Sequence, residues 1–215
     1  MGHHNNCKDW DYGTHPDRQK ISQRCDKLVK VLRRRPGFFH NVGVSTKPGH
    51  KYMFSGFAPA ACKALVGNYR GSLHPCLKNY RVTVHEDTRV GAEPFRVAAL
   101  MGAFETRLKA ASQTFETTFA AQKGAAAGPV ALVQFVTLLS LFLEQFLTIH
   151  PYANGNGHCA RLLVWVLLTR YGFTPVSWPL DASPPSPAYS DAISAFRDGN
   201  QSPLIAFMLN CIKGP

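Results

Sequence analysis

The chain has 215 residues, of which 45% are hydrophobic and 17% are charged, and its formal net charge is +11. This length fits one domain with an appended segment, and the hydrophobic content argues against a disordered chain. The excess of basic residues favours an anionic partner such as a nucleotide, a nucleic acid or an acidic protein surface.

The six cysteines are scattered and include no Cys-x-x-Cys pair; they are Cys7, Cys25, Cys62, Cys76, Cys159 and Cys211. In a chain with this much potential core, we expect reduced thiols in a cytoplasmic protein rather than a disulfide framework. The opening letters MGHHNNCKDWDYG contain no apolar run, so no secretory signal is predicted. The early histidines and cysteines match the spacing of no common zinc module, which favours a disordered leader.

Residues 1–45 form a polar, basic N-terminal segment. Between Arg18 and Arg35, apolar residues recur at near-helical spacing until Pro36 and Gly37, and this pattern predicts a helix. The basic letters KLVKVLRRR belong to it. Its basic face would contact nucleic acid, or it would be the solvated face of a helix that packs against the main domain.

Residues 46–181 are expected to form the main domain. A Gly- and Pro-rich linker, NVGVSTKPGHK, leads into it, and the letters APAACKALVGNYRG predict a helix from about residue 59 to residue 68. Residues 72–87 behave differently, because apolar and polar side chains alternate there with the two-residue period of a strand. A lone strand or hairpin would have an exposed edge with which another peptide can pair.

Three long helices are predicted next, over residues 93–122, residues 129–149 and about residues 156–171. The second of them, PVALVQFVTLLSLFLEQFLTI, has the length of a membrane span. The carboxylate of Glu144 would be costly in a membrane, so we expect a buried helix of a soluble bundle and no membrane contact.

Residues 182–215 form a tail in which a Pro-rich connection precedes one or two short helices. Trp165, in the third long helix, is expected in the core. Trp178 and Tyr189 are expected to pack the tail onto the bundle.

The letters HPYANGNGHCAR, residues 150–161, join the two apolar helices. Gly155, Asn156 and Gly157 lead straight into the second helix, whose first N–H groups have no partners within the helix. Glycines allow a ligand to approach the backbone, and Arg161 follows one turn later, so the loop is typical of a phosphate cradle. His150 titrates near neutral pH and would face the cradle as a general base.

This loop resembles the signature of Fic-domain proteins. In that signature, a His, an aromatic residue two positions on, an acidic residue, Gly-Asn-Gly and two arginines three apart form the active loop. The letters GNYR, residues 67–70, resemble the segment before the family's flap, and KNYRVTV is placed like the flap strand. The resemblance covers about residues 57–180. It implies an all-α Fic fold with a small β-hairpin flap at about residues 72–87.

The resemblance implies transfer of part of a nucleotide, usually AMP from ATP, to a Tyr, Ser or Thr hydroxyl of a target protein. The catalytic residues would be His150, which deprotonates the hydroxyl, together with Asn156 and Arg161. The phosphates would be held by Gly155, Asn156, Gly157, His158 and Arg161. The flap would clamp the target by strand pairing through Tyr80, Arg81, Val82, Thr83 and Val84.

Two residues of the loop depart from the family signature. Asn154 stands where an Asp or Glu normally anchors Mg²⁺, and an amide oxygen can be a ligand but brings no charge. His158 stands where the first arginine is expected. Mg²⁺ binding through Asn154 and the identity of the transferred group therefore both remain open.

The mode of regulation is open as well. The letters SQTFET and SLFLEQ match the family's inhibitory helix only in part, so we expect Glu116 and Glu144 to be structural. Inhibition would then be absent or supplied by a separate protein. Two other functions compete with transfer: a catalytically silent Fic-fold protein that binds a nucleotide or a partner, and a nucleic-acid-binding protein that uses the basic N-terminal segment.

Overall fold

The structure is a computed structural model that describes residue 7 and residues 10–35, 45–84, 87–120, 128–184 and 187–213. These residues are mostly helical, which confirms the prediction of an all-α fold. The α-helices are α1 (Arg18–Arg34), α2 (Lys47–Phe54), α3 (Pro75–Lys78), α4 (Pro94–Ala120), α5 (Pro129–Ile149), α6 (Asn156–Arg170), α7 (Ala188–Arg197) and α8 (Ser202–Asn210).

Two smaller elements complete the fold. A 3₁₀ helix, Ala60–Leu65, lies between α2 and α3. Two short strands, β1 (Thr174–Pro175) and β2 (Ile212–Lys213), pair antiparallel and join the end of the chain to the segment that follows α6.

The core is built around α5 and α6, which are antiparallel neighbours across the short loop. Helix α5 packs against α4, α6 and α8, and α6 also contacts α1 and α2. Helix α6 is buried on all sides from His158 to Thr169, as a central helix must be. Helix α5 is long and apolar enough to cross a membrane, a property that the core helix of a soluble protein shares.

The strongly periodic helices begin and end close to their predicted bounds. Helix α5 starts at Pro129, where the missing N–H costs no helical hydrogen bond, and it stops before Pro151. The predicted linker at residues 41–51 is partly wrong, because α2 forms from Lys47 onwards. Gly49 and His50 are buried in α2, so burial outweighs the weak helix propensity of this Gly- and Pro-rich stretch.

The predicted β-hairpin flap is not formed in the part of residues 72–87 that the structure describes. Residues 75–78 form α3, and residues 80–84 adopt no regular structure, although the exposure of residues 81–84 does alternate. The reason is the lack of a partner: the described residues contain strand pairing only between β1 and β2. An alternating pattern becomes a strand only when a neighbour completes the hydrogen-bond ladder.

The N-terminal segment is more ordered than expected. Trp10 is 6% exposed, and four residues of α1 (Ile21, Cys25, Leu28 and Leu32) are buried. Cys7 and Cys62 form a disulfide, so the expectation of reduced thiols is wrong for this pair, and the expectation of a disordered leader is wrong for residues 10–17. A sequence separation of 55 residues left no local signal for this pairing.

The aromatic residues expected to join the tail to the bundle do so. Trp165 is buried, and its Nε1 donates to the carbonyl oxygen of Trp178 at 2.8 Å. The rings of Trp178 and Tyr189 pack edge to face at 5.5 Å. These contacts bring α7 beside the loop between α5 and α6.

Gly71 is a point at which the fold accepts no side chain. Its φ is +76°, and a Cβ atom there would overlap the carbonyl oxygen of Pro94 at the start of α4. We expect Gly71→Ala to lower the free energy of unfolding by about 2 kcal/mol or more. Gly102→Ala is the matched control, because Gly102 lies within α4 and a Cβ there meets nothing within 4 Å. That change should stabilise the helix by about 0.5–1 kcal/mol. Equal effects of the two changes in urea denaturation would contradict the close approach at Gly71.

Candidate active site

The loop that joins α5 to α6 is closed by hydrogen bonds of its own. The side chain of Asn156 accepts a bond from the backbone N–H of Tyr152 at 2.8 Å and donates one to the carbonyl oxygen of the same residue at 2.9 Å. Asn156 is buried and begins α6. The residue that the sequence assigned to phosphate therefore shapes the turn, since both ends of its amide are engaged within the loop.

A buried guanidinium holds the end of α5. Arg70 is fully buried and donates to four carbonyl oxygens, those of His150 at 2.8 Å, Tyr80 at 3.0 Å, Ala92 at 3.0 Å and Ile149 at 3.1 Å. Burial lowers the pKa of Arg70 to about 10, so the side chain stays charged at neutral pH. It thereby joins the start of the loop, residue 80 of the expected flap and the segment before α4.

Helix α2 also supports the loop, through His50. The His50 ring stacks on Tyr152 at 4.0 Å, accepts a bond at Nδ1 from the Gly67 N–H and donates from Nε2 to the carbonyl oxygen of Asn154 at 3.0 Å. This pattern assigns the neutral tautomer, in agreement with burial that lowers the pKa of His50 to about 4.

Gly155 is required by this packing. Its φ is +78°, and a Cβ atom would lie within 2.7 Å of the Phe54 ring. The glycine therefore allows Phe54 to reach the loop, a role distinct from the backbone approach to phosphate that the sequence predicted for it. Gly157 is the glycine at which a ligand could approach the backbone, because it lines a cavity.

A cavity of about 810 Å³ borders the loop. His150, Gly157 and Arg161 line it together with Val84 of the expected flap, so four of the predicted site residues meet there. The remaining wall comes from two distant segments and from α5, and consists of Asp87, Thr88, Arg89, Val90, Leu147, Ser183, Tyr189, Ser190, Ile193, Ser194 and Arg197. A volume of this size is in the range of small-molecule sites.

The charged side chains of the cavity favour an anionic ligand. Three arginines, Arg89, Arg161 and Arg197, line the cavity with one described carboxylate, that of Asp87, while Asp198 pairs with Arg89 from outside the lining. Asp87 pairs with Arg89 at 2.9 Å and with Arg197 at 3.2 Å, and these hydrogen bonds and charges lower its pKa to about 2. Arg197 also pairs with Glu144 at 3.0 Å. The N-terminus of α6 adds the positive end of a helix dipole beside Gly157.

His150 occupies a strained position at the end of α5. Its φ is +51°, which among the described residues makes it the one non-glycine with positive φ. Its Nδ1 lies 3.1 Å from the Leu147 carbonyl oxygen, and because a carbonyl only accepts, Nδ1 carries the proton of the neutral ring. Nε2 is then left with its lone pair. Burial, with the charges of Arg70 and Arg197, lowers the pKa of His150 to about 4.

Arg161 is held rigidly. Its Nε donates to the Leu180 carbonyl oxygen at 3.0 Å and its Nη2 to the Asp181 carbonyl oxygen at 2.8 Å. A Cβ atom on Gly157 would lie 3.0 Å from Nη1, so this nitrogen is the one beside the first turn of α6. Two of its three guanidinium nitrogens are therefore engaged by carbonyl oxygens, and the third lies beside Gly157, which lines the cavity.

The two residues that depart from the Fic signature do not line the cavity. Asn154 Nδ2 donates to the Trp10 carbonyl oxygen at 3.2 Å, and its Oδ1 accepts from the Gly155 N–H at 2.8 Å. His158 is buried, with Nδ1 3.2 Å from the Tyr12 hydroxyl and Nε2 3.0 Å from Asp181 Oδ1. Both ring nitrogens are thus engaged away from the place where the sequence put phosphate.

The residues present do not fit a Mg²⁺ site of the expected kind. The amide of Asn154 is already engaged at both atoms, and the one described carboxylate on the cavity wall, Asp87, is paired with two arginines. Cys25, His158 and Asp181 place ligand-type atoms within 4.8 Å of one another. Arg18 pairs with that carboxylate at 2.7 Å and burial raises the pKa of the Cys25 thiol to about 12, and both effects oppose a metal ion.

Several residues of the site carry no signal in the sequence. Asp87, Arg89, Tyr189 and Arg197 come from segments that reach the loop only through the fold, so no spacing rule connects them with His150. Glu116 pairs with Arg170, and Glu144 pairs with Arg197, which agrees with the structural roles expected for both glutamates.

Comparison with protein families adds one finding. A family model described as the Fic/DOC family matches residues 50–168, a range that contains the second part of α2, the 3₁₀ helix, α3 to α5, the loop and most of α6. Comparison with curated proteins gave no match.

We expect Arg70→Ala to lower the free energy of unfolding by about 3 kcal/mol or more, because four carbonyl oxygens would each lose a charged donor and a fully buried side chain would be removed. Arg96→Ala is the matched control, since Arg96 is an exposed arginine on α4, and its effect should stay within about 0.5 kcal/mol. Urea denaturation of both variants measures the difference. A similar small loss for both would show that the loop does not depend on Arg70.

We expect His150 to titrate with a midpoint near 4, because burial disfavours the imidazolium. The ring would be neutral at pH 5 and above and would gain its proton only as the pH falls through about 4. Proton NMR of the ring signals measures this midpoint, and His150→Asn identifies the signal among the nine histidines. A midpoint for His150 near 6.5, the ordinary pKa of an imidazole, would contradict the environment described here.

Proposed function

Because the chain belongs to the Fic/DOC family, we propose that it transfers a nucleotide-derived group, AMP from ATP, to a Tyr, Ser or Thr hydroxyl of a protein. The observation that carries this proposal is the position of His150. A neutral imidazole with a lone pair on Nε2 lies on the wall of a cavity that also holds three arginines and the start of a helix.

In the proposed step, Nε2 of His150 takes the proton of the target hydroxyl while the hydroxyl oxygen bonds to the α-phosphorus of ATP. The bond from the α-phosphorus to the oxygen bridging to the β-phosphorus breaks, and pyrophosphate leaves. With a pKa near 4, His150 is always in the correct protonation state at neutral pH but is a weak base. Most of the rate acceleration must therefore come from positioning and charge stabilisation.

The charge stabilisation is assigned to the cations of the cavity. The first N–H groups of α6, next to Gly157, are placed to bind phosphate oxygens, and Nη1 of Arg161 borders the same position. Arg89 and Arg197 also line the cavity, where their charges would oppose the negative charge of the leaving pyrophosphate. The two bonds that Arg161 makes to carbonyl oxygens keep its guanidinium in place before the ligand arrives.

The resemblance implies Mg²⁺ as well, and Mg²⁺ would supply neutralisation of phosphate charge. The engaged amide of Asn154 and the paired carboxylate of Asp87 do not fit that role. The proposed step therefore runs through the protein's own arginines and histidine.

The target protein is proposed to bind along residues 80–84. Val84 lines the cavity, Arg81 pairs with Glu93 at 2.9 Å, and the Tyr80 carbonyl oxygen is held by Arg70. The segment is thus anchored at its start and runs to the cavity edge. An extended target segment that pairs with it would bring its hydroxyl towards His150.

One observation favours the second candidate, a catalytically silent nucleotide-binding protein. The side chains of Asn156 and His158, which the sequence assigned to phosphate, are engaged in holding the loop. A binder needs the cradle but has no use for a base. The two functions therefore differ in whether His150 is needed for a chemical step in addition to nucleotide binding.

We expect the purified protein to add an AMP group to a target when it is incubated with ATP in a cell lysate, as measured by the mass increment on the modified protein. His150→Ala should slow this transfer by about a hundredfold or more, because the base is lost, while ATP binding measured by calorimetry changes little. His74→Ala, which removes an exposed histidine away from the cavity, should leave both quantities unchanged.

ATP, GTP, UTP and CTP are tested in parallel, so that the added mass identifies the transferred group. Binding of a nucleotide without any mass increment, in wild type and variant alike, would favour the silent binder. Transfer by His150→Ala at the wild-type rate would show that another group is the base.

A further inference from the structure

The N-terminal strap, which we define as residues 10–18, lies against the loop outside the cavity. Trp10 is buried, Tyr12 is half-buried, and no residue of the strap lines the cavity. Trp10 Nε1 donates to the Phe57 carbonyl oxygen at 2.9 Å, and the ring of Tyr12 packs on Phe54 at 4.8 Å. The strap thus rests on the end of α2 and reaches the loop from there.

The strap contacts the loop through the two residues that depart from the Fic signature. The Trp10 carbonyl oxygen accepts the bond from Asn154 Nδ2, and the Tyr12 hydroxyl bonds to His158 Nδ1. Arg18, at the end of the strap, pairs at 2.7 Å with Asp181, which in turn bonds to His158 Nε2. Three strap residues therefore converge on two loop residues and one carboxylate.

The amide of Asn154 suits the contact with the strap, whereas the carboxylate of the Fic signature would not. An amide nitrogen can donate to the Trp10 carbonyl oxygen, whereas a carboxylate has no proton to donate and would set negative charge against that oxygen. The Asn154 side chain is thus the donor that joins the strap to the turn.

The chemistry at His158 is similarly matched. Hydrogen bonds from His158 and Arg18, together with the charge of Arg18, hold the pKa of Asp181 well below its usual range, and burial lowers the pKa of His158. A neutral His158 that donates from Nε2 to the Asp181 carboxylate accepts at Nδ1, so the Tyr12 hydroxyl is the donor of the third bond. An arginine at 158 would have no acceptor nitrogen for Tyr12.

His158 belongs to the first turn of α6 and follows Gly157, which lines the cavity. A displacement of the His158 ring would therefore displace the helix terminus that is proposed to bind phosphate. We propose that Trp10, Tyr12 and Arg18 are positioning residues of the active site, which hold the turn and the first residues of α6 through Asn154, His158 and Asp181. This inference rests on the proposed function only for its effect on transfer, since the contacts exist without a ligand.

The disulfide between Cys7 and Cys62 is the covalent anchor of the strap. Cys7 lies three positions before Trp10, and Cys62 lies in the 3₁₀ helix next to the end of α2. A dithiol reductant that passes two electrons to this bond yields two protein thiols and an oxidised dithiol. The strap would then keep its hydrogen bonds but lose its fixed end, so the loop should open more often.

The test uses amide hydrogen exchange in the full chain, with Tyr12→Phe and its control Tyr52→Phe. Tyr12→Phe keeps the ring contacts with Phe54 and His158 and removes only the hydroxyl. We expect exchange at residues 150–161 to rise about fivefold, the effect of one hydrogen bond, while α5 and α8 keep their rates. Tyr52 is an exposed tyrosine of α2, and its change to Phe should alter neither region.

The anchor is tested with the reductant. Exchange at residues 150–161 should rise in the wild type on reduction, whereas the double variant Cys7→Ser with Cys62→Ser should start at the raised rate and not respond. Where transfer is measurable, Tyr12→Phe should lower kcat and leave the KM for ATP nearly unchanged, because a displaced helix terminus affects positioning more than binding.

The inference would be overturned if residues 150–161 exchanged at the rate of the oxidised wild type both in Tyr12→Phe and in the reduced protein. A rise spread evenly over all helices would overturn it too, because that is the result of a general loss of stability. The exchange measurements need no substrate, so they test the positioning role of the strap even if no transfer is found. Transfer activity together with unchanged exchange at residues 150–161 would refute the positioning role and leave the proposed function intact.

Discussion

The fully buried guanidinium of Arg70 is the interaction on which the site depends. Helix α5 ends with His150 in a left-handed conformation that costs free energy, and the carbonyl oxygens at the end of a helix have no partners within it. Arg70 supplies donors to two of them and to two carbonyl oxygens outside the helix. One charged group thus satisfies the end of α5, fixes the backbone beneath the base and ties down the segment that borders the cavity.

The residues of the loop between α5 and α6 have two tasks, to fix the turn and to line the cavity. Asn156, His50 and the strap make the hydrogen bonds that fix the turn, whereas His150, Gly157 and Arg161 line the cavity. Polar residues that suggest ligand binding in the sequence are divided between these two tasks. A side chain that shapes the turn is as necessary for phosphate binding as one that touches phosphate, because the cradle is made of backbone N–H groups whose direction the turn sets.

Much of the architecture could be predicted, because the long helices carry their own signals. Helices α4, α5 and α6 are long, apolar and bounded by Pro or Gly, and burial of their faces agrees with the pattern. Helix α2 and the absence of a hairpin at residues 80–84 could not be predicted, since the first depends on burial of His50 and the second on the absence of a neighbouring strand in the described chain. The loop could be recognised from its sequence motif. The partners of Asn154 and His158 could not be predicted, because they lie 144 and 146 residues away in the sequence.

That distance along the chain has a consequence for biosynthesis. Trp10 and Tyr12 are synthesised before their partners Asn154 and His158, which follow 144 and 146 residues later, an interval on the order of ten seconds at ordinary translation rates. During that interval, the Trp10 ring can already meet His50 and Phe54, but its carbonyl oxygen has no Asn154 amide to accept from. The contacts between the strap and the loop must therefore be among the last native contacts to form, and the active loop is completed only when a segment made much earlier returns to it.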